Sequence, residues 1–182
     1  METAHELFLH EMQDMLDAER RLVEALGEQA EESSRTDLKS AFTSHQRQTE
    51  KQVQRLEQAF ESLGEEPEET ECAGIQGLIT EHDNFKEKEP SPDILDVFNI
   101  GAAQKVESYE ICAYESLLEL ANSMGHKEAA RLISQNLKEE QQTLKKMQSF
   151  SKKIKPERTG MEEEESEEQA EGPRGRRRHR AA

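Results

Sequence analysis

The chain of 182 residues has no tryptophan, two tyrosines and two cysteines, and aromatic residues make up 4% of it. Only 32% of the residues are hydrophobic, against 35% charged. That balance excludes a thick globular core and leaves a thin one, built from long helices that each bury a narrow apolar stripe. No apolar run approaches the roughly 20 residues of a membrane span. Neither Cys72 nor Cys112 belongs to a CxxC pair, and no zinc-finger spacing, nucleophile elbow or phosphate-binding loop occurs. Two lone thiols without a signal peptide predict a soluble protein of the reducing cytoplasm. Runs of β-branched residues are scarce, while Glu, Gln, Lys, Leu and Ala are abundant, which favours helix throughout.

Positive charge is also scarce over most of the chain. The formal net charge is −16, but from Ser151 onward eight acids meet nine bases. The first 150 residues therefore hold 32 acids and 15 bases, a local charge of −17. A body so acidic repels nucleic acid and anionic membranes, accepts cations, and stays soluble.

Along the chain, spacings of three and four predict a first helix over about Ala4–Ala30, with Phe8, Met12, Met15, Leu16, Glu19, Val23 and Leu26 on one face. The break at "EESSRTD" offers Ser34 or Thr36 as a cap for a second helix from about Asp37 to Leu63. Its face reads Leu38, Phe42, His45, Thr49, Gln52, Leu56, Phe60, and Gly64 ends it. A connection from Gly64 to Pro92 contains a short apolar stretch, "GIQGLITEHDNF", expected as a short helix or turn across the bundle. A third long helix runs from about Asp93, its expected cap, to Met124, with Ala102, Val106, Ala113 and Leu117 as its stripe. The fourth continues to about Lys153 with Ala129, Ile133, Leu137, Glu140, Leu144 and Met147 on one face.

Short link, long crossover, short link is the connectivity of an all-α, ferritin-like four-helix bundle, the crossover lying between the second and third long helices. The bundle is expected over residues 1–154. Residues 155–182, an acidic block followed by a basic one without apolar periodicity, are expected as a disordered tail. The acidic block can neutralise the arginine cluster internally, so nucleic-acid binding is not expected.

One polar side chain interrupts each apolar stripe: Glu19, His45, Glu110 and Glu140. Buried carboxylates need a counter-charge, and three of them with an imidazole suit a divalent ion such as iron or manganese. Glu107 lies about a quarter-turn from the stripe centre on the helical wheel. Ferritin-like di-metal sites draw a Glu from two helices and a Glu-x-x-His pair from each of the others. Beside His45 and Glu140 stand only Gln48, Thr49, Gln52, Thr143 and Leu144.

The segments "AAQKVESYEICAYESL", "LDAERRLVEAL", "CAGIQGLITE" and "LISQNLKEEQQTLKKM" resemble the YciE/YciF family of ferritin-like bacterial stress proteins, over about Glu6 to Met147. The resemblance implies a rubrerythrin-like bundle, a homodimer, a di-iron centre, ferroxidase activity and a role in iron handling or stress response. It implies Glu19, His45, Glu107, Glu110 and Glu140 as metal ligands. The chain departs from the family pattern at Gln48, commonly Glu, and at Leu144, often Asp. One or two ions of iron or manganese are thus expected, at most one of them tightly held. The alternative is a non-catalytic helical structural or interaction protein that has lost the centre.

Overall fold

The computed structural model describes residues 2–154. The expected tail lies outside them. Five helices follow one another: α1 (Ala4–Glu32), α2 (Thr36–Leu63), α3 (Ala73–Lys86), α4 (Pro92–Ser123) and α5 (Lys127–Lys153). No strand occurs among the described residues. The short stretch in the crossover is a full helix of 14 residues, α3.

The four long helices pack as a square in which α1 lies beside α2 and α4, and α5 beside the same two. Their directions follow from two buried apolar clusters at opposite ends. One holds Phe8, Met12, Leu56, Phe60, Leu117 and Ile133. The other holds Leu22, Leu26, Phe42, Ile100, Met147 and Phe150. Helices α1 and α5 run from the first cluster to the second, and α2 and α4 run back. Thus α2 and α4 are parallel, the chain must return the length of the bundle between them, and α3 packs against α1 and α4 on that return.

Local chemistry sets the ends. Thr3 and Glu6 form a reciprocal capping box before α1: the Glu6 amide donates to Thr3 Oγ1 at 3.1 Å and the Thr3 amide to Glu6 Oε2 at 3.0 Å. Gly64 closes α2 with φ of +74°, a conformation that glycine alone adopts without cost. The start of α2 differs from expectation, because Arg35 is its cap residue and makes no side-chain cap bond. Asp96, buried on the first turns of α4, accepts instead from the Ser34 and Arg35 amides, both at 3.1 Å, and from Ser34 Oγ at 2.6 Å. A carboxylate from a distant helix thereby pins the α1–α2 turn. Similarly Ser91, followed by Pro92, precedes α4, where Asp93 was the expected cap.

All seven residues expected on the inner face of α2 are buried, together with Ala41 and Ala59. The inner face of α4 is rotated. Its core line is Ile100, Ala103, Glu107, Glu110, Tyr114, Leu117 and Ala121, while Ala102, Val106 and Ala113 are half-buried. The cause is α3, which packs on α4 from outside the square and gives it a second apolar flank. On α1 the buried residue is Leu22 and Val23 is half-buried; on α5 Thr143 is buried and Leu144 half-buried.

Candidate metal centre

Between the two apolar clusters lies a polar layer drawn from all four long helices. Helix α1 supplies Glu19, α2 supplies His45, Thr49 and Gln52, α4 supplies Glu107, Glu110 and Tyr114, and α5 supplies Asn136, Glu140 and Thr143. Within each helix these residues are three, four or seven apart, so they share one face. Glu19, Glu107 and Glu140 are 0% exposed, Glu110 2% and His45 5%, which puts all five side chains out of reach of bulk water.

The five are not equally close. One donor atom each from His45, Glu107 and Glu140 lies within 4.8 Å of the others. His45 Nε2 stands 3.4 Å from Glu107 Oε1 and 3.7 Å from Glu140 Oε2. Donors held about 2.0–2.2 Å from a shared ion sit about 3–4 Å apart, so this spacing needs little adjustment. Glu107, placed by the wheel at the margin of its stripe, is thus at the centre of the cluster, and Glu19 and Glu110 adjoin it.

Hydrogen bonds fix some carboxylate oxygens and leave others free. Tyr114 donates its hydroxyl proton to Glu19 Oε1, and Gln52 Nε2 donates to Glu140 Oε1. Asn136 Nδ2 donates to the Tyr114 hydroxyl at 3.0 Å, and Asn136 Oδ1 accepts from Arg55 Nη1 at 2.9 Å. Arg55 is committed to Glu139, with contacts of 2.7 and 2.9 Å. Within this layer four carboxylate oxygens then have no donor: Glu19 Oε2, both oxygens of Glu107, and Glu140 Oε2. His45 Nδ1 and Gln52 Oε1 are also unpartnered.

Burial pushes the Glu19, Glu107 and Glu110 carboxyls well above the usual carboxylate range. Neighbouring carboxylates push them further, Glu140 acting on Glu19 and Glu107, and Glu19 first on Glu110. The Tyr114 hydroxyl bond opposes this at Glu19. Burial, then Glu19 and Glu110, raise the Tyr114 phenol as well. Such a cluster has two ways to exist inside a protein: its acids hold protons, or a cation replaces those protons. The uncommitted oxygens facing an imidazole nitrogen fit the cation.

Two residues from the sequence reading behave differently from each other. Gln48 is half-buried and donates from Nε2 to Thr143 Oγ1 at 3.3 Å, at the edge of the layer. Leu144 is not in the layer; Thr143, three residues after Glu140, occupies the inward position. Tyr114 and Asn136 were missed, although each lies four residues from a candidate ligand on the same face.

Comparison with known proteins agrees with this architecture. The family model described as "Domain of unknown function (DUF892)" matches residues 3–160. Protein YciF of Escherichia coli K12 is 35% identical over 144 residues, which cover 79% of this chain and 87% of YciF. The crystal structure of the E. coli stress protein YciF superposes with a TM-score of 0.80 at 34% identity, covering 83% of this chain and 96% of that one. The structure of YcfI from Rhodopseudomonas palustris superposes with a TM-score of 0.79 at 35% identity, covering 81% and 94%. The chain belongs to the DUF892 family and is a relative of YciF.

Proposed function

We propose that this protein binds a divalent transition-metal ion, iron in the first place and manganese as the competitor, in iron handling or a stress response. The observation that carries this reading is the set of four carboxylate oxygens of the layer without hydrogen-bond donors, of which Glu107 Oε1 and Glu140 Oε2 stand 3.4 and 3.7 Å from His45 Nε2. Leaving such groups unpaired costs several kcal/mol each in the ionised state, and a cation removes that cost.

In this reading His45, Glu107 and Glu140 hold the ion, and Glu19 and Glu110 add carboxylate oxygens beside it. Gln52 and Tyr114 each tie down one oxygen of a ligand and leave the other available. Asn136 and Arg55 set the direction of that bonding from outside the cluster. The two apolar clusters exclude water from both ends of the layer. Bound iron would supply one-electron redox chemistry, and a carboxylate-rich shell favours the ferric state. Gln48 and Thr143 are neutral at the positions where a second ion would need charge, so one ion is held tightly and oxidation of Fe(II) is slow. A homodimer, as the family resemblance implies, is part of the proposal and is read by sedimentation velocity.

A second reading is a structural helical protein with a self-contained polar core. Gln52 bonding Glu140 and Tyr114 bonding Glu19 favour it, because both bonds exist without an ion. Anaerobic loading with Fe(II), removal of free metal and metal counting separate the two. About one ion per chain, lost in His45→Ala, supports metal binding; none in the unaltered protein supports the structural reading.

A further inference from the structure

Helix α3 lies outside the square, along the seam between α1 and α4, and a cavity of about 30 Å³ runs beneath it. Leu78, Ile79 and His82 of α3 form the outer wall of this cavity. Gln29 of α1 lines its side, and His45 and Glu107 of the candidate centre close its buried end. Lifting the second half of α3 would open that end to solvent, whereas apolar clusters block both ends of the bundle.

The two halves of α3 are held differently. In the first, Cys72 and Ile75 are 0% exposed, and the Cys72 amide donates to Asp17 Oδ2 at 2.7 Å. The Tyr109 ring lies over Gly74, where a Cβ would stand 2.6 Å from it, so glycine is required there. In the second half only His82 is buried, while Leu78, Ile79 and Phe85 are half-buried. Polar contacts hold this half: His82 Nε2 meets Asn99 Oδ1 at 2.9 Å, and Lys86 Nζ stands 3.3 Å from Glu32 Oε1. A segment with so little buried apolar surface opens at a lower free energy than the bundle. Gly77 sits between the halves. A Cβ there would meet nothing within 4 Å, so packing gives no reason for glycine, and alanine would favour the helix.

We propose that residues 78–86 of α3 form a hinged cover that turns at Gly77, and that its opening is how His45 and Glu107 exchange with the solution. Glycine at the hinge lowers the cost of leaving the helical conformation, a use that its open surroundings allow. Glu28 and Asp83, with side chains 64% and 57% exposed, stand at the outer end of the cavity. Their charge draws cations to the opening. That a divalent ion is what exchanges rests on the metal proposal; the opening itself does not.

Amide hydrogen exchange and histidine modification by diethyl pyrocarbonate, both on the metal-free full chain, test the cover. Amides of residues 78–86 are expected to exchange as a group, faster than those of the four long helices. His45, 5% exposed, should react only through the opening, and His5, with its side chain 41% exposed, is the control. Gly77→Ala should slow the exchange of residues 78–86 and the modification of His45 together, by about four- to five-fold, and leave His5 unchanged. Slower exchange with His45 modification unaltered would mean that alanine stabilises a helix that covers nothing, and would overturn the proposal. Amides of residues 78–86 that exchange only when the whole bundle unfolds would overturn it too. In protein loaded with Mn(II), Gly77→Ala should slow release of the ion to a chelator by the same factor and leave Kd unchanged. Release at the original rate would remove the cover as the route of the ion. No bound Mn(II) would overturn the metal proposal, and the first two measurements would still decide the cover.

Discussion

Asn136 donates to the Tyr114 hydroxyl at 3.0 Å, which leaves the hydroxyl's own proton to go to Glu19. A carboxylate in the middle of the bundle is thereby oriented by a residue two hydrogen bonds away on another helix, and Arg55 fixes that residue in turn. Removing the hydroxyl in Tyr114→Phe leaves both oxygens of Glu19 without a donor. Loss of such an outer partner costs about 10–100-fold in metal affinity, and that drop is expected by calorimetric titration with Mn(II). Metal-free stability should also fall, by about 1–3 kcal/mol. Unchanged affinity would remove Tyr114 from the account.

The raised Glu19, Glu107 and Glu110 carboxyls give the metal-free protein an inverted pH dependence. Their folded-state pKa values lie above the unfolded ones, so their contribution is fully present below the ordinary carboxylate range. It is lost as pH rises through the raised folded values. The thermal midpoint of metal-free protein should therefore decline from mildly acidic toward neutral and alkaline pH, and bound metal should flatten the decline because it replaces the protons. A midpoint that rises with pH without metal would contradict these directions.

Asp96 is 1% exposed and accepts three hydrogen bonds from Ser34 and Arg35. Asp96→Ala should cost about 2 kcal/mol in urea unfolding, through the lost charged acceptor and the uncapped α2 terminus. Metal content should not change, since Asp96 is outside the polar layer. A loss of stability below about 0.5 kcal/mol, the usual range of surface changes, would mean that the contact is weak.

The fold was legible where one face of a helix meets one neighbouring surface. On α2, Leu38, Phe42, His45, Thr49, Gln52, Leu56 and Phe60 are all buried, as their spacing requires. Helix α4 was misread by a quarter-turn because it serves two surfaces: Glu107 and Tyr114 face the square, whereas Val106 and Ala102 face α3. A helical wheel places its axis through the apolar residues and cannot tell one flank from two. The Asp96 cap is likewise invisible locally, since the turn it holds lies about sixty residues away in sequence. Of the candidate residues, Glu19, His45, Glu110 and Glu140 were legible as interruptions of apolar stripes and Glu107 only through the family motif; which three lie closest depends on rotations that only packing sets.

Gln48 and Leu144 make that difference testable. Gln48 reaches Thr143 at the edge of the layer, so Gln48→Glu adds charge where a second set of ligands is thin and should tighten metal binding. Leu144 is half-buried off the layer, so Leu144→Asp should lower stability and leave metal binding unchanged. Parallel titrations of the two variants decide it; tighter binding in Leu144→Asp would show that α5 is rotated from the orientation described.

Anomalous diffraction from crystals loaded anaerobically with Fe(II), measured on both sides of the iron edge, locates the ion without reference to activity. One strong peak is expected among His45 Nε2, Glu107 and Glu140, at about 2.0–2.2 Å from each donor. Peaks confined to the acidic surface, or an empty cluster at full loading, would contradict it.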